Sequence, residues 1–214
     1  MPTLVIGNKN YSSWSLRPWL ALRHAGIAFD EVLIPLDQED TRARLAEESP
    51  SGLVPVLRDD DLTVWDTLAI CERVAELAPE AGLWPDASDA RAVARSVAAE
   101  MHSGFSALRS ECPMNIRRRS TYTLSEAVEK DIARIKAVWR DCRTRFGQGG
   151  PFLFGRFTIA DAMYAPVCTR FRTYGLPEDS VATDYIDAVH DHPAMRDWTE
   201  AARNEEWVIA RSDL

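Results

Sequence analysis

Three short stretches place reactive side chains where backbone geometry can use them. Ser12 and Ser13, preceded by Tyr11, close a loop between an apolar run at Leu4, Val5 and Ile6 and a helical pattern beginning about residue 15. The start of a helix offers free N–H groups and the positive end of its dipole, so an anion is favoured there. A hydroxyl at that place can donate to the anion, or can cap the helix and do nothing else. Asp66 and Thr67 follow a strand-like run and open a second helical pattern. Their carboxylate, hydroxyl and N–H groups suit a polar ligand, and equally suit plain capping. Between them stands Val54-Pro55, which read alone is a trans proline opening an edge strand.

These stretches need elements to hold them. Residues 15–25 space Leu16, Trp19, Leu20 and Arg23 along one side, with Gly26 as a stop and Pro18 in the first turn. Residues 28–34 alternate like a strand, and a polar run rich in Glu and Arg occupies 38–48. Two β-rich pieces at 55–58 and 62–65 are joined by Asp59, Asp60 and Asp61, a hairpin. From Asp66 the period is helical again. The order β-α-β-α-β-β-α implies a parallel pair with a crossover helix, then an antiparallel hairpin.

The pattern changes near residue 80. Pro79, Gly82 and Pro85 mark 80–85 as a linker between a first domain, 1–79, and a second, 86–214. The second reads as all helix: 87–110, 124–146, and shorter pieces at about 159–173, 181–190 and 194–203. Thr158 and Asp161 form a capping box, a folding device rather than a catalytic pair.

Of the 214 residues, 25 are Lys or Arg and 33 are Asp or Glu, a net charge of −8. That argues against a nucleic-acid partner. No run reaches the roughly 18 apolar residues of a membrane helix. Cys71, Cys112, Cys142 and Cys168 show neither CxxC spacing nor a zinc pattern. They read as reduced thiols in the cytoplasm, with Cys71 and Cys142 in the core, and no metal is expected.

The chain resembles the glutathione transferase family. The stretches that carry the likeness are NYSSWSLRPWLAL (10–22), SGLVPVL (51–57), WDTLAI (65–70) and FTIADAMYAP (157–166). The resemblance implies a thioredoxin-like α/β N-terminal domain, an all-α C-terminal domain and a homodimer. It implies glutathione as co-substrate, bound by Val54, a cis Pro55, Asp66 and Thr67. The SSWS turn is similar to the serine turn of zeta-type members, so Ser12 is the expected thiolate donor, with Ser13 next and Tyr11 third. Trp14 stands where some members carry cysteine. A small electrophile would sit between the domains, near Tyr11, Met101, Phe105 and Arg109. Arg172 and Tyr174 are further candidates. His102 is expected on the surface or packed, and Arg117, Arg118 and Arg119 in a solvated loop. The expected activity is transfer of glutathione to the electrophile. Zeta-type cis–trans isomerisation, or a non-catalytic binding role, are the alternatives.

Overall fold

Leu4 and Ile6 point to one side of a strand and Val5 to the other, because side chains alternate along extended chain. In the computed structural model, which describes residues 1–121 and 123–213, that strand is β1 (Thr3–Ile6). It lies second in a four-stranded sheet of order β2-β1-β3-β4. β1 pairs parallel with β2 (Asp30–Leu33) and antiparallel with β3 (Val56–Asp59), which forms a hairpin with β4 (Leu62–Trp65). One face of the sheet, through Leu4, Ile6 and Leu57, joins the main core with helices α1 (Ser13–His24) and α3 (Thr67–Leu77). The other face, through Val5 and Val56, packs Leu45 of the short helix α2 (Thr41–Glu48). This is a thioredoxin-like α/β layer, as expected.

After a 3₁₀ turn at Pro79–Ala81 the chain is helical: α4 (Ser88–Ser103), α5 (Ser106–Glu111), α6 (Glu126–Phe146), α7 (Ile159–Tyr174), α8 (Ser180–Asp191) and α9 (Pro193–Arg203). The single helix expected over 87–110 is two. The break falls at Gly104 and at Phe105, whose φ of 55° is left-handed and cannot continue a right-handed helix. Thr158 and Asp161 form the expected capping box. Asp161 Oδ2 accepts from the Thr158 N–H (2.8 Å) and hydroxyl (2.9 Å), and Oδ1 from the Leu153 N–H (3.0 Å). All four cysteines are free and buried. No helix among the described residues is long and apolar enough to cross a membrane.

The two parts share one core. α7 is buried along nearly its whole length and packs on α1. Pro18 requires a correction. The helix begins at Ser13, two residues earlier than its spacing suggested, so Pro18 lies inside it rather than in the first turn. A proline there cannot donate to the carbonyl four residues back, that of Trp14. The Thr67 hydroxyl donates to that carbonyl instead, at 2.8 Å. One side-chain bond thus repairs α1 and ties it to the first residue of α3.

Candidate functional site

Ser12 is the N-cap of α1. Its oxygen accepts from the Ser15 N–H (3.3 Å), and its hydroxyl donates to Ser15 Oγ (2.8 Å), which also accepts from the Gly7 N–H (3.1 Å). The hydroxyl of Ser12 is therefore turned into the helix. Ser13, the first helical residue, forms no side-chain hydrogen bond among the described residues, and it lines the cleft beside the helix start. Tyr11 also lines that cleft, but its hydroxyl donates to Asp213 (3.3 Å) and accepts from Arg117 (3.1 Å).

The cleft has two lobes that share Trp14, Leu53 and Val54. The larger, about 780 Å³, runs from Tyr11, Ser12 and Ser13 to Gln38 and Arg42 of the first domain and to Arg109 and Arg170 of the second. The smaller, about 440 Å³, is bounded by Pro55, Trp65, Asp66, Thr67 and His102. The Val54–Pro55 peptide bond is cis, as the resemblance implies. Asp66 has a φ of 73° and caps α3 by accepting from the Leu68 N–H at 2.9 Å. Its other oxygen lies 3.2 Å from His102 Nε2. The indole of Trp14 stands between the lobes, with the His102 ring edge-on at 5.3 Å.

Three guanidinium groups gather around the start of α1. Arg17 is fully buried; it donates to the Met163 carbonyl and the Ser13 carbonyl, both at 3.1 Å, and Nη2 has no partner. Its carbon lies 4.4 Å from the Trp14 ring centroid. Burial, then the charges of Arg170 and Arg109, lower its pKa to about 9. It stays cationic at neutral pH. Arg170 is buried too, donating to the Cys112 (2.8 Å) and Pro166 (3.1 Å) carbonyls. Burial lowers its pKa to about 10. Arg109 lies over the Trp14 ring and donates to the His102 carbonyl. No carboxylate forms an ion pair with any of the three among the described residues, and a positive cleft wall results.

The remaining expected residues fall elsewhere. Met101 is fully buried and Phe105 nearly so, both in the shared core rather than in either lobe. The face of α4 that turns inward carries Met101; its neighbour His102 reaches the cleft. Arg117 is not in a solvated loop: it clamps the C-terminal tail, donating to the Glu205 and Trp207 carbonyls. Tyr174 donates to the Pro113 carbonyl, and Arg172 pairs with Asp187 outside the cleft. Arg17 and Arg170 were not expected in the site. A cation on an otherwise apolar stripe of α1 or α7 was the sequence signal for both.

Two family models match this chain: the glutathione S-transferase N-terminal domain over residues 11–77 and the C-terminal domain over 125–201. The chain belongs to the glutathione S-transferase family. Among curated relatives, a probable maleylacetoacetate isomerase from Caenorhabditis elegans is 29% identical over 107 residues, 50% of this chain and 49% of that one. Glutathione S-transferase L2, chloroplastic, from Arabidopsis thaliana is 26% identical over 157 residues, 73% of this chain and 49% of that one. The matches thus span about half the length of these relatives. Among solved structures, a glutathione transferase homologue from Burkholderia gl BGR1 with bound glutathione superposes with a TM-score of 0.71 at 22% identity, covering 95% of this chain and 99% of that one. Maleyl pyruvate isomerase, a bacterial zeta-class member, gives 0.73 at 19% identity, with 95% and 99% covered. These likenesses show the glutathione S-transferase fold.

Proposed function

We propose that this glutathione S-transferase family member binds glutathione along the two lobes around Trp14 and ionises its thiol for attack on a small electrophile. The observation that carries the reading is the free Ser13 hydroxyl at the N-terminus of α1, on the cleft that Val54, Asp66 and Thr67 also bound. The γ-glutamyl end would lie in the smaller lobe. There the N-terminus of α3 favours its carboxylate and Asp66 its ammonium. The Val54 backbone would pair with the cysteinyl residue as an added strand does. The sulfur would then reach the start of α1. A hydroxyl donor, a helix dipole and three nearby guanidinium groups all favour thiolate over thiol, each pKa unit being worth about 1.4 kcal/mol. Ser13 is the better donor, since Ser12 spends its proton on Ser15.

The electrophile would occupy the larger lobe. Arg109 and Arg170 favour one that carries a carboxylate. That observation supports the second reading, an isomerase. The thiolate would add to an activated double bond, the bond would rotate as a single bond, and loss of the thiolate would restore the double bond and free glutathione. Conjugation stops at the adduct and takes up a proton. Homodimerisation is part of the proposal and rests on the chain's membership of the family. The four free, buried thiols suit residence in the cytoplasm.

Calorimetric titration with glutathione, combined with the pH dependence of thiolate absorbance in the complex, tests this. Wild type should bind, Asp66→Ala should bind at least tenfold more weakly, and Ser13→Ala should bind normally with a raised thiol pKa. Absence of binding to wild type overturns the reading, and an unchanged thiol pKa in Ser13→Ala overturns the role of Ser13.

A further inference from the structure

A second cavity, about 450 Å³, opens on the far side of the helical domain. Thr169, Arg172 and Thr173 of α7 line it, whereas Arg170 of the same helix faces the glutathione cleft. Successive residues on a helix point about 100° apart, so α7 separates the two sites. Four arginines surround the cavity: Arg119 from the loop before α6, Arg172 from α7, and Arg196 and Arg203 from α9. Their acidic neighbours are few. Asp187 holds Arg172 at 2.6 Å and Asp191 holds Arg196 at 2.9 Å. Glu200 is the single carboxylate of the lining. Arg119 and Arg203 form no ion pair among the described residues. Among the described residues, Arg119 is held by the carbonyls of Ile116 (3.0 Å) and Arg118 (2.7 Å) alone. Partial burial of the guanidinium and the facing charges of Arg203 and Arg172 lower its pKa. Two like charges turned toward one cavity in a chain of net charge −8 are the signature of a place for an anion.

His190 of α8 refines the ligand. Burial, followed by the charge of Arg172, drives its pKa down to about 4. The ring is therefore neutral, and one of its nitrogens must be an acceptor. Its ring lines the cavity, and its Nε2 is buried just behind that surface with no partner among the described residues. A buried acceptor calls for a donor. An anion flanked by hydroxyl groups supplies both needs.

We propose that this cavity binds a small phosphorylated polyhydroxy compound, such as a sugar phosphate, with the phosphate on Arg119 and Arg203 and a hydroxyl donating to His190 Nε2 once the imidazole turns its edge to the cavity. The site is independent of the glutathione cleft and of the reaction proposed there.

Calorimetry with glucose 6-phosphate, glucose and inorganic phosphate tests it. Wild type should bind glucose 6-phosphate saturably, inorganic phosphate at least tenfold more weakly, and glucose not at all. R119Q/R203Q should lose at least tenfold in affinity for glucose 6-phosphate. Both arginines are exposed, so circular dichroism should be unchanged, and glutathione titration should match wild type. His190→Phe, a ring without the acceptor, should narrow the gap between glucose 6-phosphate and inorganic phosphate. Equal affinity of wild type and R119Q/R203Q overturns the site, as does absence of saturable binding. Equal affinity of wild type for both phosphates overturns the hydroxylated ligand.

Discussion

The two ends of α1 meet the helical domain in opposite ways. At its C-terminal end the contacts are largely closed, although His192 Nδ1 is buried without a partner among the described residues. Arg23 pairs with Asp197 at 2.8 Å, His24 meets His192 at 3.0 Å, and both rings pack at a tilt on Phe157. One turn further in, Trp19 packs edge-on against Trp198, with Lys9 over both rings. At the N-terminal end the contacts are left open. Among the described residues, Arg17 keeps a buried N–H group without a partner, Ser13 keeps a hydroxyl, and Arg109 and Arg170 form no ion pair. An unmade buried hydrogen bond costs roughly 1–3 kcal/mol. The closed end supplies stability that the open end gives up, and strain of this kind gathers where ligands bind.

Substitutions should separate the two ends. Trp198→Ala, at the closed end, leaves a large cavity and should cost about 3–5 kcal/mol in urea unfolding, with the glutathione affinity of the remaining folded protein intact. Ser13→Ala, at the open end, should slow turnover about 10²–10³-fold, in the range of a lost oxyanion donor, and leave the melting temperature within a degree or two. A large loss of stability there, or a comparable slowing by Ser12→Ala, would erase the contrast.

Acid should act through buried histidines of the helical domain. His190 and His192 are both driven down to about 4, each chiefly by burial. The folded protein then binds fewer protons than the unfolded chain, whose histidines titrate near 6.5. Stability is full above about pH 6.5 and falls as pH drops toward 4, by about 3 kcal/mol for His190 alone. Asp161 runs the other way, since burial raises it to about 6. The difference between wild type and His190→Phe, measured from pH 7 to pH 5, isolates the histidine: the variant's curve should be flatter.

Two smaller effects complete the series. Arg109→Gln should raise KM about tenfold for a carboxylate-bearing electrophile and leave an uncharged one unchanged; equal effects on both would remove the positive wall from substrate choice. Arg23→Ala should change stability by less than about 1 kcal/mol, because both partners of that pair are half exposed.

The features legible in the sequence are local ones. The Asp59–Asp61 turn, the Thr158–Asp161 box and the helical stripes depend on neighbours within a few residues, and the structure has them. The two matched domains follow the same order. The details of the site depend on distant partners. Which serine is free follows from Gly7 and Ser15, which capture the hydroxyl system of Ser12. Met101 and His102 differ by one position on α4, and only the packing against α7 decides which turns inward. Phe105 looked like the next apolar residue of that helix, but its backbone ends it. Arg170 enters the cleft from a helix more than 150 residues away from Ser13, a distance over which periodicity carries no information.

The bond from Thr67 to the Trp14 carbonyl makes α1 and α3 a caliper with a fixed jaw. One jaw would grip the sulfur end of the tripeptide and the other its γ-glutamyl end. Because proline leaves that carbonyl vacant, the setting of the jaws is written into the folded chain and does not wait for the ligand. A tripeptide shortened or lengthened by a single backbone unit would reach one jaw and miss the other, so under the proposed function the protein would measure its thiol donor by length as well as by charge.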